Sequence, residues 1–425
     1  MTFRIRRLPT AAAIGGLAAI LLASAPALAK DYTASIASVT PQTAISGKLA
    51  TRTEIVADKG ESAMLTPAAV EDIKGAISLY EEIVAGGGWS IVQGKKQVKG
   101  AKGPNVVALR RRLVTEGYLA FEANNVANPE VYDDQMGEGV TAFQINHGVA
   151  ANGNINDRTL AELNITAEAR LYTLRENLPR VEAYAQGLAE RNILVNIPSA
   201  QLETVENGHV YSRHNIVAGK LDRPTPSLVS KVSDVTFNPY WSAPASIVAK
   251  DIIPKYLKDP NYLHQLGIHV FDGPDGAEVD PATIDWANTA PERYAFRQDP
   301  GDQNALATVK INFPNKFMVY MHDTPHRELF GRNARYESSG CVRIDQVATV
   351  VNWVLRGQED YNASEYENII ASRETYQLKV SNPPQVRFMY LTAWANDDGA
   401  VNFRPDIYGL DGTGFVLGQP EPRGF

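Results

Sequence analysis

The first clear hydrophobic periodicity along the chain lies in LTPAAVEDIKGAISLYEEIVAGGGW. Apolar residues recur there at three- and four-residue intervals, which predicts an amphipathic helix. Thr66 is a candidate N-cap and Pro67 suits the first helical turn. The triplet Gly86–Gly88 could bind a phosphate, but it follows the predicted helix instead of opening one. We therefore interpret it as a helix stop.

Residues 103–165 repeat this pattern on a smaller scale. Two short apolar stripes predict two amphipathic helices joined by a polar loop, and Asp157 begins a third. The stripes are Val106, Leu109 and Leu113, followed by Val140, Phe143 and Ile145. From the pattern alone this region is a small helical module.

A further helical pattern covers residues 166–192, where Pro179 is expected to kink or split the helix. Apolar and polar residues then alternate in ILVNIPSAQLETV, HVYSRHNIVAG, PSLVSKVSDVTFNPYW and ATVKINFPNKFMVYMH, which predicts short antiparallel strands. One late helix is expected in IDQVATVVNWVLRG, with Asp345 as its candidate N-cap. Residues 193–411 thus form a mainly β domain, and 412–425 form a C-terminal tail.

The N-terminus has a basic start, an apolar run of about fourteen residues and a small-x-small end at Ala27-Leu28-Ala29. Residues 1–29 are therefore predicted to be a secretory signal peptide, cleaved before Lys30. The alternative of a membrane anchor is disfavoured, because a spanning helix needs about 20 apolar residues. We expect an exported, periplasmic protein with no membrane span after cleavage. Residues 30–102 would then be an N-terminal helical scaffold segment.

Composition and charge narrow the class of partner. The chain is 44% hydrophobic and 21% charged, as expected for a globular protein, and its net charge is −7. Nucleic-acid binding is disfavoured, because it usually requires a basic surface. The prediction is an α+β multidomain protein, with a helical scaffold, a small helical module and a mainly β domain.

One cysteine, Cys341, occurs in 425 residues. In an exported protein an unpaired cysteine is a buried inert residue, an intermolecular bridge or a reactive thiol. Its surroundings favour reactivity: it follows the turn Ser338-Ser339-Gly340 and precedes a predicted helix, whose positive dipole end would stabilise a thiolate. Gly340 allows a tight turn and could free backbone N–H groups to bind an oxyanion. His322 and His326 are the nearest candidate bases.

The order His322-x-Thr-Pro, a loop, then Ser-x-Gly-Cys-Val-Arg resembles the active-site signature of L,D-transpeptidases with a YkuD-type catalytic domain. Serine at position 339 replaces the histidine of the common S-H-G-C block, as in the large YcbB-like branch of the family. VNIP at 195–198, NPYW at 238–241 and TAW at 392–394 are also similar to that branch. Residues 103–165 resemble a peptidoglycan-binding type 1 module through GVTAFQ at 139–144, Gly153 and Thr159.

The resemblance implies roles for specific residues. Cys341 would be the nucleophile and His322 its base, with His326 as a less favoured alternative. A backbone carbonyl or Asp323 would orient the imidazole, and the N–H groups of Gly340 and Cys341 would bind the oxyanion. The resemblance also suggests that residues 242–296 form a cap over the active site, although they could be an inert insertion. The candidates for substrate binding are Arg343, Tyr320, Ser339, Asp323, Arg297 and Asn304.

The expected activity is cleavage of the L–D bond of a tetrapeptide stem of peptidoglycan, through an acyl-enzyme. Transfer to the side-chain amine of a diamino acid would make a 3-3 cross-link. Transfer to water would make a carboxypeptidase, and transfer to an envelope protein would tether that protein to the wall. A non-catalytic wall-binding protein is the alternative from another class. The expected partners are stem peptides and glycan, and neither a cofactor nor a metal is implied, because the remaining histidines lack the spacing of a zinc motif.

Overall fold

A large curled β-sheet with helices on both of its faces forms the centre of the fold. The computed structural model describes residues 49–94 and 97–420. The predicted signal peptide, 1–29, therefore lies outside the described residues. Among the helices of the described part, none is long and apolar enough to cross a membrane.

The helices lie mostly before the β domain and in two later segments. They are Ala69–Ala85 (α1), Pro104–Thr115 (α2), Asp134–Asn146 (α3), Asp157–Leu163 (α4), Ala167–Ala185 (α5), Ala245–Ile247 (α6), Ile253–Tyr256 (α7), Tyr262–Gln265 (α8), Val347–Val354 (α9) and Tyr366–Ser372 (α10). A π-helical segment, Val248–Ile252, joins α6 to α7. Short 3-10 segments are Ala57–Lys59, Phe121–Asn125, Pro281–Thr283, Pro291–Arg293, Arg327–Gly331 and Ala363–Glu365.

The strands occupy most of the chain after residue 190. They are Glu54–Ile55 (β1), Arg191–Asn196 (β2), Gln201–Glu206 (β3), His209–Gly219 (β4), Leu228–Lys231 (β5), Asp234–Phe237 (β6), Trp241–Ser242 (β7), Ile268–Phe271 (β8), Ala295–Gln298 (β9), Val309–Asn312 (β10), Met321–His322 (β11), Tyr336–Ser338 (β12), Val342–Ile344 (β13), Tyr376–Lys379 (β14), Gln385–Met389 (β15), Ala393–Ala395 (β16) and Val401–Phe403 (β17). Together with the helices they confirm the predicted α+β class.

Within the described residues, twelve strands form the large sheet. Its main path runs β14-β6-β10-β11-β13-β4-β3-β2-β15-β5, and β1 and β12 also pair with β4. Neighbouring pairs are mostly antiparallel, but three pairs are parallel, namely β11 with β13, β15 with β2 and β12 with β4. The β1 strand was not predicted, because two residues are too few to show alternation.

Two hydrophobic cores lie against the two faces of this sheet. One contains Ile193 and Val195 of β2 and the buried side of α9, while the other contains Leu194 and the apolar faces of α1 and α5. Side chains of a strand alternate between faces, so a strand buried on both sides is apolar throughout. The sheet therefore holds the helical scaffold on one face and α9 on the other.

The predicted split of the helix at Pro179 does not occur, because α5 runs unbroken from Ala167 to Ala185. Its tertiary contacts offset the hydrogen bond that a proline removes. The Asn177 amide donates to Thr392 Oγ1 at 2.6 Å, and the Arg180 guanidinium donates to Asp411 at 2.6 Å. Arg180 also donates to the carbonyl of Phe415 at 2.9 Å. The predicted C-terminal tail is thus bound to the scaffold at Phe415, while Gly418 pairs with Ser227 of the β domain.

Two predicted helix caps were wrong. The helix α1 begins at Ala69, so Thr66 and Pro67 precede it, although Thr66 Oγ1 accepts a hydrogen bond from Ala68 N at 3.2 Å. The N-cap position of α9 is Gln346, not Asp345. The Asp345 carboxylate instead accepts a hydrogen bond from Thr53 Oγ1 at 2.7 Å. A distant threonine therefore competes with the helix end for this carboxylate.

The small helical module contains α2, α3 and α4 around its own core. Its three helices match the sequence prediction, although Ile145 is exposed. The Arg112 guanidinium forms a buried ion pair with Glu116 at 2.6 Å and lies 3.5 Å from the ring centroid of Trp89. Trp89 in turn donates to the carbonyl of Ile165 at 3.0 Å. These contacts fix the module to the end of α1.

Residues 242–296 also form a small folded unit. The helical segments from α6 to α8 pack against a three-stranded sheet in the order β7-β9-β8. A separate core, with Ile252, Tyr256 and Phe296 as members, lies between them. We call residues 242–296 the insertion.

Candidate active site

The candidate site lies on three adjacent central strands. In their register, Lys310 of β10 is opposite His322 of β11, and His322 is opposite Arg343 of β13. The alternate row, Ile311, Met321 and Val342, is buried in the core around α9. Because side chains alternate across a sheet, the first row lies on the other face. That face therefore carries an imidazole between two cations.

The turn before Cys341 is fixed by hydrogen bonds. Gly340 has φ +112°, which a residue with a Cβ rarely adopts, so glycine is required there. Thr225 Oγ1 donates to the carbonyl of Gly340 at 2.9 Å, and Ser338 Oγ donates to the carbonyl of Cys341 at 2.5 Å. The N–H of Gly340 is taken by Ser338 Oγ at 3.2 Å, whereas the N–H of Cys341 has no partner in the described part of the chain. Of the two N–H groups predicted to bind an oxyanion, only that of Cys341 thus remains a candidate.

The expectation that Cys341 immediately precedes a helix was wrong. The strand β13, Val342–Ile344, follows it, and α9 begins only at Val347. A helix dipole therefore does not stabilise the thiolate. Burial instead raises the pKa of the Cys341 thiol, and hydrogen bonds from the backbone and phenol of Tyr320 oppose this shift. The positive charges of Lys310 and Arg343 oppose it as well.

The His322 imidazole is buried, with 5% of its surface exposed. Its Nδ1–H donates to the backbone carbonyl of Asp323 at 2.5 Å, which leaves Nε2 free to accept a proton. Burial, followed by the charges of Arg343 and Lys310, lowers the pKa of His322 to about 3. The resting imidazole is therefore neutral. The Tyr320 ring lies edge-on to it, with centroids 5.6 Å apart.

Tyr320 lies next to both Cys341 and His322. The N–H of Val342 donates to the carbonyl of Tyr320 at 3.1 Å, which places Cys341 beside Tyr320 on the neighbouring strand. Cys341 and His322 are then diagonal neighbours in the sheet. No hydrogen bond joins them among the described residues, although such contacts often tighten only when substrate binds.

Comparison with known families gives two matches. Residues 190–361 match the model of the YkuD family, described as "L,D-transpeptidase catalytic domain". Residues 102–163 match the model described as "Putative peptidoglycan binding domain". The chain contains a YkuD-type L,D-transpeptidase catalytic domain. It also contains a peptidoglycan-binding type 1 module, and both resemblances inferred from the sequence are confirmed.

A curated relative from Haemophilus influenzae, named "Putative L,D-transpeptidase", is 37% identical over 222 residues. The match covers 52% of this chain and 44% of the relative, so it spans less than half of the relative's length. Among solved structures, an L,D-transpeptidase from Xylanimonas cellulosilytica is 14% identical, with 70% of this chain and 98% of that chain covered and a TM-score of 0.21. L,D-transpeptidase 3 from Mycobacterium tuberculosis, in complex with a faropenem-derived adduct, is 12% identical, with 47% and 60% covered and a TM-score of 0.24.

Asp323 and His326, also suggested for the L,D-transpeptidase domain, do not face the site in the same way as His322. The Asp323 carboxylate faces away from the imidazole, because it accepts hydrogen bonds from Thr308 Oγ1 at 2.6 Å and from Arg327 at 3.3 Å. The main chain at Asp323, not its carboxylate, orients His322. His326 is 65% exposed and lies 3.6 Å from Glu328. Its position leaves His322 as the candidate base within the central strands.

Three of the suggested residues contact the insertion, the segments that flank it or a residue bound to it, namely Ser339, Arg297 and Asn304. The Ser339 hydroxyl accepts a hydrogen bond from Arg223 Nη1 at 3.0 Å. The Arg297 guanidinium lies over the Phe271 ring within the insertion, 4.5 Å from its centroid. Asn304 is buried, and its amide donates to backbone carbonyls, including that of Pro239 at 3.0 Å. Its amide therefore organises the loop beneath the insertion.

Three residues of the domain were missed by the sequence analysis. Lys310 shares the row with His322, Thr225 fixes the turn, and Arg223 joins Ser339 to Asp251 of the insertion. The sequence held a signal for Lys310 alone, because this charged residue lies between the apolar residues Val309 and Ile311 of a predicted strand. The other two act through contacts more than 20 residues away in sequence, which no local pattern reveals.

Proposed function

We propose that this protein is an exported, cysteine-dependent L,D-transpeptidase that forms 3-3 cross-links in peptidoglycan. The observation that carries the proposal is the position of Cys341, on a turn fixed by Thr225 and Ser338, beside Tyr320 and diagonal to neutral His322. The two family matches support peptidoglycan as the substrate. The donor is a tetrapeptide stem that ends in D-alanine.

Acylation begins with a neutral thiol and a neutral imidazole. As the Cys341 sulfur attacks the carbonyl carbon of the L–D bond, His322 Nε2 accepts the thiol proton. The Cys341 N–H donates to the oxyanion that forms. The imidazolium then gives its proton to the departing nitrogen, the C–N bond breaks and D-alanine leaves. The product is a thioester between Cys341 and the shortened stem.

Transfer uses the same groups in reverse. The side-chain amine of a diamino acid on a second stem attacks the thioester, and His322 accepts a proton from the attacking nitrogen. The C–S bond breaks and the sulfur regains the proton from His322. The insertion, bound to the catalytic turn through Arg223, would exclude water from the thioester and so favour the amine as acceptor.

Analysis of reaction products tests the acceptor. Purified protein lacking residues 1–29 would be incubated with disaccharide-tetrapeptide, and the products separated and sequenced by mass spectrometry. A 3-3 linked dimer with loss of one D-alanine per linkage supports the proposal. A tripeptide product alone indicates a carboxypeptidase, and a stem attached to an added envelope protein indicates tethering. Unchanged substrate together with binding to isolated cell walls, equal in Cys341→Ala, would show a non-catalytic binder.

A further inference from the structure

Two cations of the active-site face lack an anionic partner. The side chains of Lys310 and Arg343 form no ion pair with any of the described residues, and Arg343 Nε is buried without a hydrogen-bond partner. Both side chains are partly buried. The Nζ of Lys310 lies 4.4 Å from the centroid of the Tyr320 ring. These two residues flank His322 in the strand register.

The acidic side chains that interact with them at longer range are engaged elsewhere. The acidic group with the largest effect on both cations is the Cys341 thiol, which is neutral in the resting site. Asp234, the next acid that acts on Lys310, accepts hydrogen bonds from Asn312 at 2.6 Å and Gln377 at 2.8 Å. Glu337, which acts on Arg343, accepts from Arg332 at 3.4 Å. Glu328, the other acid that acts on Arg343, lies beside His326. The excess positive charge around His322 is therefore not neutralised by contact within the described protein.

Burying a cation without a partner is unfavourable, and two such cations on one face repel each other. Burial indeed lowers the pKa of both Lys310 and Arg343. Partly buried cations without an anionic partner are typical of binding sites, where a ligand supplies the negative charge. Strands lie about 4.8 Å apart, so the two backbones are roughly 10 Å apart across β11. Both long side chains can reach one anion above His322.

We propose that Lys310 and Arg343 form an anion subsite that binds the terminal carboxylate of the donor stem. This inference rests on the proposed function and specifies which chemical group of the donor is recognised. In a tetrapeptide stem the carboxylate carbon is three bonds from the scissile carbonyl carbon. A carboxylate held above His322 therefore brings the scissile carbonyl close to Cys341. A stem extended by one residue, or one ending in a carboxamide, lacks a carboxylate at this position.

Binding of a carboxylate would also activate the base. The charges of Arg343 and Lys310 contribute to the low pKa of His322, so an anion between them raises that pKa. A more basic imidazole accepts the thiol proton more readily. The free enzyme thus keeps both thiol and imidazole neutral, and the donor itself promotes proton transfer. Lys310 and Arg343 thereby determine the specificity for a donor with a free terminal carboxylate.

Alkylation of Cys341 tests the subsite without requiring transpeptidation. In both probes the sulfur displaces iodide from a CH2 carbon and the thiol proton is lost, but iodoacetate carries a carboxylate and iodoacetamide does not. For Cys341 we take the rate of alkylation by iodoacetate divided by the rate with iodoacetamide. This ratio is then divided by the same ratio for a small free thiol. The resulting preference for iodoacetate is expected to be about 10 in the full mature chain. Lys310→Met and Arg343→Gln should each bring this value close to 1. Lys316→Met, an exposed lysine outside the row, should leave it unchanged.

A normalised iodoacetate preference near 1 in the unaltered protein would overturn the subsite, independently of the results for the variants. The second measurement compares acylation of the unaltered protein by disaccharide-tetrapeptide and by its C-terminal carboxamide. We expect the carboxylate to react about 10- to 100-fold faster, with most of the difference lost in Lys310→Met. Equal rates on the two stems reject the subsite but leave the transpeptidase proposal intact. No acylation by either stem, together with a high iodoacetate preference, rejects the transpeptidase proposal and keeps the anion site.

Discussion

The hydroxyl of Thr225 donates to the carbonyl of Gly340 at 2.9 Å, immediately before Cys341. The same oxygen accepts the N–H of Gly219 at 2.8 Å, so one buried threonine ties the catalytic turn to the end of β4. This contact supports the positive φ of Gly340, the residue immediately before Cys341. The position of Cys341 therefore depends on a residue 116 positions earlier in the chain.

Thr225→Val removes this hydroxyl while keeping the shape of the side chain. We expect acylation of Cys341 to slow about 10-fold, because the turn is less firmly held, with a loss of about 1–2 kcal/mol in the free energy of unfolding. Thr225→Ser should restore the rate. Thr173→Val removes a similar hydroxyl-to-carbonyl bond of 3.0 Å in α5 and serves as the control. Equal acylation rates in Thr225→Val and the unaltered protein would show that the bond does not position Cys341.

Arg223 joins the insertion to the catalytic turn. Its Nη2 donates to Asp251 Oδ1 at 3.2 Å, while its Nη1 donates to the Ser339 hydroxyl. Asp251→Asn weakens this link, so amide exchange in residues 245–256 should become about 2- to 5-fold faster, as measured by hydrogen-deuterium exchange. Asp259→Asn is the matched control, because the carboxylate of Asp259 bonds within the insertion, to Asn261 N at 3.0 Å. Faster exchange in both variants alike would argue against a specific link.

The hydrogen bond to Arg223 lowers the pKa of Asp251, so the link depends on pH in a defined direction. The carboxylate is ionised above its ordinary pKa, and the link is then fully present. As pH falls through the lowered pKa, protonation removes the charge and the link weakens. The intrinsic exchange rate of an amide falls in acid, so each observed rate is divided by the intrinsic rate at the same pH. The corrected exchange in residues 245–256 should accelerate as pH falls in the unaltered protein, and this acceleration should be smaller in Asp251→Asn.

His214 predicts a second pH effect, on global stability. Its Nδ1–H donates to the carbonyl of Asp345 at 2.8 Å and its Nε2 accepts from Ser212 Oγ at 2.8 Å, so the buried ring is neutral. Burial lowers its pKa to about 4, below the ordinary 6.5. The unfolded chain thus binds one more proton between these values, and stability falls as pH decreases through that window.

Between pH 7 and pH 5 the free energy of unfolding should decrease in both proteins. We expect this decrease to be about 2 kcal/mol smaller in His214→Gln than in the unaltered protein. Urea unfolding at the two pH values measures the difference. His209→Gln, an exposed histidine of the same strand, is the control and should behave like the unaltered protein. The same pH-dependent loss in His214→Gln would show that His214 does not cause it.

The sequence predicted those features that depend on local pattern. Alternation located the β domain, and β4 coincides with the predicted segment HVYSRHNIVAG, which runs from His209 to Gly219. The Gly-Cys turn and the strand end at His322 follow from local residue types in the same way. The confirmed resemblance then supplied the family, because its motif is continuous over about 20 residues.

Features that depend on tertiary contacts were missed or mispredicted. The three-residue strand Val342–Ile344 is too short to show alternation, so a helix was expected directly after Cys341. This strand is stabilised by pairing with β11 and β4, which lie far away in sequence. Lys310 becomes part of the site only when β10 pairs with β11 in the observed register. The pKa of Cys341 likewise reflects burial, which no single residue reveals.

We predict that Cys341 becomes acylated by the donor stem. Intact-protein mass spectrometry of the mature chain, after incubation with disaccharide-tetrapeptide, measures this directly. We predict a mass increase equal to the stem minus D-alanine, located on Cys341 by peptide mapping and absent from Cys341→Ala, with formation at least about 100-fold slower in His322→Gln. Consumption of the stem with no adduct on Cys341, or equal consumption by Cys341→Ala, would contradict the account.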